Sequence, residues 1–229
     1  MSRLALGVDG CRRGWVVAVG PAEGGFTALW VAPRVVEVMD RVDARFGVSV
    51  AIDMPIGLAD RGPRVCDREA RRLLGPRRSS VFPAPARDVL AARSYEEACA
   101  RSRAASGVAL SRQAWNLVPK ISELDAWMAP ARQAMVVEAH PEGSFAVLGG
   151  QPCQWPKRLA PGRAERERLV AQVFPTMAGP LPVVPGAAAD DVLDALALLW
   201  TAQRRARGDA TFVGDDTVDR RGLKMQIWR

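Results

Sequence analysis

The sequence predicts an α/β fold: a five-stranded mixed sheet, three antiparallel strands and then parallel ones, flanked by helices, in one domain over 1–229 with a helical insertion at about 61–132. Three observations predict it. Three apolar segments near the start are joined by turns too short for a crossover, a helical pattern separates them from a fourth apolar segment, and the strongest helix comes late and opens on acids.

Leu4–Val8, Gly14–Val19 and Phe26–Val31 read as strands, with Gly-rich or Pro-containing turns at Gly10–Arg13 and Gly20–Gly25. Connections this short make an antiparallel meander. Val35, Val36, Val38, Met39, Val42 and Phe46 recur at helical spacing, and Gly47 ends that helix before the strand Val48–Ile52. The intervening helix lets this fourth strand run parallel to the first.

From about Arg61 to Arg132 simple βα alternation stops. Arg64–Leu74 reads as a helix closing at Gly75-Pro76, Ser79–Pro85 as an extended loop, and Tyr95–Ser106 and Arg112–Met128 as helices, the second interrupted by Pro119. This stretch is expected to lie over one edge of the sheet. Ala134–Val137 then reads as a fifth strand ending at Glu138, Gln151–Pro161 as a Pro-rich loop, Arg163–Val173 as a helix and Pro175–Gly186 as a second loop. In Ala188–Arg207, Val192, Leu196, Leu199 and Gln203 form one stripe, and Asp191, Asp194, Leu198 and Thr201 a neighbouring one. Leu223–Trp228 adds a small strand. This order matches a ribonuclease H-like fold, in which the first and fourth strands are adjacent.

Acids at strand ends give the chemistry. Asp9 closes Leu-Ala-Leu-Gly-Val, Asp53 closes Val-Ala-Ile, Glu138 closes a third apolar run, and Asp191 and Asp194 open the late helix. A carboxylate buried alone is costly. Two on neighbouring strands repel unless a cation lies between them. Hard divalent ions with oxygen ligands, Mg²⁺ or Mn²⁺, one or two per site, meet that need and commonly serve phosphoryl transfer. Each acid also has a plainer reading. Asp9-Gly10 is a turn dipeptide, Asp53 precedes Met54-Pro55 and is biased toward extended backbone, and Asp190 and Asp191 suit a helix N-terminus, Asp190 above all. Asp194 lies a turn inside the helix, where capping does not explain it. His140, beside Pro141 and between Glu138 and Glu142, reads as a structural hydrogen-bonding residue.

The net charge of +7 favours acidic partners, nucleic acid or another phosphorylated substrate, although an Arg-rich coding bias produces the same number. Arg61, Arg64, Arg68, Arg71, Arg72, Arg77 and Arg78 crowd into one stretch. Within it Arg78, Ser79 and Ser80 offer a guanidinium fork and two hydroxyls for phosphate, and Gln113, Asn116 and Lys120 share a helical face that adds polar contacts. The cysteines Cys11, Cys66, Cys99 and Cys153 show no paired spacing, and His140 is the only histidine, which argues against zinc and for reduced, packed thiols. No apolar run reaches membrane-spanning length and no secretory signal is visible, so a soluble cytoplasmic protein without membrane partners is expected.

The chain resembles the family of predicted ribonuclease H-like nucleases, domain-of-unknown-function family 429. The resemblance is carried by Gly7-Val8-Asp9-Gly10-Cys11 with Gly14-Trp15, Ile52-Asp53-Met54-Pro55-Ile56-Gly57-Leu58, Cys66-Asp67-Arg68-Glu69-Ala70-Arg71, Arg78-Ser79-Ser80-Val81-Phe82-Pro83-Ala84-Pro85, Gln113-Ala114-Trp115-Asn116, Glu138 with His140-Pro141-Glu142, Asp190-Asp191-Val192-Leu193-Asp194-Ala195, and Arg221-Gly222-Leu223-Lys224-Met225. Asp191 and Asp194 before an alanine-rich run also look like the acidic helix of RuvC-type resolvases. Arg13 departs from the glycine expected in the family's turn. The resemblance implies metal-dependent phosphodiester hydrolysis of nucleic acid, with Asp9, Asp53, Glu138, Asp191 and Asp194 as metal-holding catalytic residues. Two alternatives keep the fold: a hydrolase or phosphotransferase on a nucleotide or small phosphorylated molecule, and a non-catalytic binding module. The oligomeric state is open.

Overall fold

The computed structural model describes residues 3–43 and 47–229, and Phe46, the last position of the first helical pattern, lies outside them. Strands β1 (Leu4–Cys11), β2 (Gly14–Pro21) and β3 (Ala28–Ala32) form the expected meander, and helix α1 (Val35–Asp43) leads into β4 (Ser49–Ile52). The sheet order is β3-β2-β1-β4-β5, where β5 is Val136–Glu138. β1 and β2 are antiparallel, as are β2 and β3; β4 runs parallel to both β1 and β5. This is the mixed sheet of a ribonuclease H-like fold.

Alternation along the strands sends side chains to two cores. On one face Leu6, Val8, Trp15, Val17, Val50, Ile52 and Val136 pack against α1 and against Ile121, Leu124 and Met128. The first two of these belong to α4 (Arg112–Trp127), so the segment 61–132 does not merely lie over a sheet edge as expected; its last helix is half of a principal layer. The cause is the apolar stripe Val118, Ile121 and Leu124, which is buried. Pro119 does not interrupt α4 either. It sits on the exposed side, where water can satisfy the carbonyl one turn back.

On the other face Ala5, Val16, Ala18 and Ala51 pack against α7 (Ala189–Arg207), α5 (Pro141–Leu148) and α6 (Ala160–Val173). Small residues let α7 lie almost on the backbone of β1. A Cβ on Gly7 would stand 2.1 Å from both the Ala195 carbonyl oxygen and the Leu199 nitrogen. Main chain blocks it on both sides, so Gly7→Ala is expected to cost about 1–3 kcal/mol through displacement of α7, read as a lower urea midpoint with unchanged slope.

Helices α2 (Val65–Leu74) and α3 (Tyr95–Ser106) match their sequence patterns. Two elements have weaker signals. The eight-residue α5 has no polar face to reveal its period, and β6 (Phe212–Val218) is irregular between Gly214 and Val218, where it pairs with β7 (Lys224–Trp228). That hairpin is a separate sheet, joined to the main one by an Ala139–Trp228 bridge. Among the described residues no helix is long and apolar enough to cross a membrane.

Candidate active site

The parallel pairing that aligns Val8 with Ile52 carries both strands to their C-terminal ends together, and the Asp53 amide donates to the Val8 carbonyl at 2.9 Å. Asp9 and Asp53 therefore emerge side by side. Both continue the rows of Ala5, Gly7 and Ala51, which face α7, and from that helix Asp194 arrives buried at 3% exposure. Burial, then the neighbouring Asp194 and Asp53, push the Asp9 carboxyl well above its ordinary range. Burial also raises Asp53, and it lifts Asp194 to about 6 against the pull of Lys157. The Lys157 ammonium donates to Asp194 Oδ2 at 2.5 Å, while Asp194 Oδ1 is buried with no hydrogen-bond partner.

A raised carboxyl binds its proton more tightly in the folded chain, so its contribution to stability is lost as pH climbs from its ordinary value through its folded one. For Asp194 that window runs from 3.8 to about 6. In chelator, the stability of the wild type relative to Asp194→Asn is expected to fall by roughly 2–3 kcal/mol between about pH 4 and 7. Urea midpoints for the two proteins across that range check this, and a constant difference would contradict it.

Glu138 lines the same cleft as these acids, but both its oxygens are held by Arg64. Its register partner is Ile52, which faces α1 and α4, whereas the residue opposite Asp53 is Ala139, whose amide donates to the Ile52 carbonyl. The pleat turns Glu138 to the other side. There the Arg64 guanidinium grips both its oxygens at 2.7 Å, and Ile56 N–H donates to it at 2.8 Å. Arg64 also holds Asp67 and the carbonyls of Ile56 and Gly57. The expected ligand is the centre of a structural latch.

Asp191, rather than Asp190, makes the helix-start contact, accepting from the Ala188 amide at 2.8 Å; it is half-buried at the edge of the cluster. Asp190 instead lies 3.7 Å from Lys157. His140 Nδ1 accepts from the Glu142 amide, which leaves Nε2 to donate to the Ser80 carbonyl, so the ring joins the start of α5 to the loop after α2. Glu142 is held by Arg166, whose Nη2 donates to both carboxylate oxygens at 2.6 and 2.7 Å and whose Nε donates to Oε1 at 3.1 Å.

The acids line a cleft of about 720 Å³ at the strand ends, with Arg77, Ser79, Ser80, Gln113, Lys157 and Arg158 among its other walls. Ser80 spends its hydroxyl on the Arg77 carbonyl. Arg78, Asn116 and Lys120 are not among the lining residues. Lys120 donates to the Gly14 carbonyl and lies over the Trp15 ring, and Arg78 and Asn116 are exposed. Arg77 replaces Arg78 in the cleft, and its Nε is buried without a partner.

A family model described as "Protein of unknown function (DUF429)" matches residues 7–218. The chain belongs to that family. No curated protein and no solved structure matches it. In this DUF429 chain the match covers every acid of the cluster, together with Arg77, Lys157 and Arg158. The sequence reading missed Lys157, although it is one of only three lysines in an Arg-rich chain.

The donor set suits a hard divalent ion. Asp9, Asp53 and Asp194 line one cleft, Asp194 and Asp53 raise the proton affinity of Asp9, and one buried oxygen of Asp194 lacks a partner. Among the described residues, however, no three His, Cys, Asp or Glu side chains are already drawn together as ligands. A lysine ammonium supplies the positive charge instead.

Proposed function

We propose that this protein hydrolyses phosphodiester bonds of nucleic acid with the help of Mg²⁺ or Mn²⁺. The observation that carries the reading is the placement of Asp9 and Asp53 on adjacent parallel strand ends against Asp194 of α7, whose Oδ1 is buried and unpartnered. Asp9, Asp53 and Asp194 would hold the ion, with Asp191 at the margin. When bound, such an ion supplies Lewis acidity that activates water and offsets charge on the phosphoryl oxygens.

The chain's own groups do the positioning. The Arg77 guanidinium, with its free Nε, and Arg158 supply positive charge for a phosphate, and Ser79 contributes a hydroxyl. The sheet ends keep the acids buried, which strengthens every charge interaction made there. His140 and Arg64 keep the surrounding loops in place.

The test is incubation of the purified protein with single-stranded, duplex and branched DNA and RNA, in Mn²⁺, Mg²⁺ or chelator. Metal-dependent cleavage of one class, absent in chelator, is the expected result. A second reading draws on the size of the cleft, about 720 Å³, which suits a small ligand. Phosphate release from nucleotides, with every polymer left intact, would favour it.

A further inference from the structure

The geometry points to Lys157 as the resident cation of the acid cluster, displaced from Asp194 when a divalent metal binds, so that this one lysine sets the metal affinity of the cleft. The inference rests on the metal reading above and adds the residue that governs loading.

The lysine and a metal ion compete for the same carboxylate, the ammonium on Oδ2 and the ion beginning from the unpartnered Oδ1. Lys157 Nζ takes Asp194 Oδ2 at 2.5 Å and lies 3.7 Å from Asp190. An ion held by Asp194 together with Asp9 and Asp53 would bring two like charges within a few ångströms, and the ammonium must then leave. Its charge reaches the whole cluster, since it lowers the proton affinity of Asp9, Asp53, Asp191 and Asp194 alike.

Only the side chain has to move. The Trp155 carbonyl accepts from Arg166 at 3.0 Å, and the Pro156 carbonyl presses on Gly162, where a Cβ would stand 2.1 Å away. The backbone just before the lysine is thus anchored on α6, while the lysine side chain remains 43% exposed on a flexible stem with room to swing toward solvent beside Arg158. Arginine in this place would grip the carboxylate with a planar fork and release it less readily.

The composition makes the test clean, because Lys120 and Lys224 are the only other lysines. Calorimetric titration with Mn²⁺ alone is expected to show binding to Lys157→Gln tighter than to wild type by about tenfold or more, as removal of an adjacent positive charge requires. In parallel, acylation of the wild type read by mass spectrometry is expected to show Lys157 modified several-fold faster, on the order of a released ion pair, once Mn²⁺ is added, with Lys224 as the internal reference. Wild type that binds Mn²⁺ while the variant binds no tighter, or while Lys157 acylation is unchanged, overturns the inference and leaves the metal site standing. If Lys157→Gln fails to fold, the wild-type acylation decides alone. Absence of Mn²⁺ binding in both proteins overturns the metal reading and this inference together.

Discussion

Asp9→Asn is expected to abolish metal-dependent phosphodiester cleavage, by about a thousandfold or more, the scale of removing a preorganised group at the reacting atoms. The fold is expected to survive. Asp9 is buried beside Asp53 and Asp194, and both burial and those neighbours disfavour its charged form. An uncharged amide of the same shape relieves that repulsion, so the variant in chelator should unfold at the same urea concentration as wild type or a higher one. Mn²⁺ should stabilise wild type and leave the variant nearly unchanged. Full activity in the variant would remove Asp9 from the site, whereas lost activity with lost folding would assign it a structural role.

Arg64→Ala is expected to give the largest loss of stability, about 3–5 kcal/mol, because it strands two buried carboxylates. Glu138 and Asp67 are 7% and 2% exposed, and each meets the Arg64 guanidinium in a two-point contact. Ile56 N–H donates to Glu138 and Ala84 N–H to Asp67, so one arginine ties β5, the loop after β4, α2 and the segment leading from it. Those segments carry cleft walls, and loosening them should raise KM as well as lower the urea midpoint. Arg64→Lys should recover little, since a single ammonium cannot serve two forks. In a double-mutant cycle, Arg64→Ala with Glu138→Gln should lose less than the sum of the two single changes; simple additivity would mean the latch is not a unit.

The strand order and the Asp9–Asp53 pair were legible because they follow from turn lengths and from one crossover helix. The engagement of Glu138 by Arg64, which the sequence does not announce, has the same source. Ending a strand is not enough; the period-two count from Val136 through Ile52's partner decides the face, and it puts Ala139 beside Asp53. Arg64 reads in the sequence only as part of a basic stretch, and Arg87 and Arg166 escaped notice, for a different reason. In a chain crowded with arginine, buried guanidinium hubs look like the solvated surface until their partners are known, here Glu138 and Asp67, Asp125 and Asp219, and Glu142. Lys157 sits in a Pro-rich loop with no periodicity, so nothing local announced its reach to Asp194.

The seating of α7 on β1 at Gly7 also governs when the chain becomes competent. During synthesis Asp9 and Asp53 emerge early, but the third carboxylate arrives only with the helix that closes the second core. A nascent or clipped chain lacking that helix has an open sheet face and an incomplete cluster. On the proposed function, the acid cluster is therefore completed only when α7 docks, after both strand-end acids are already in place.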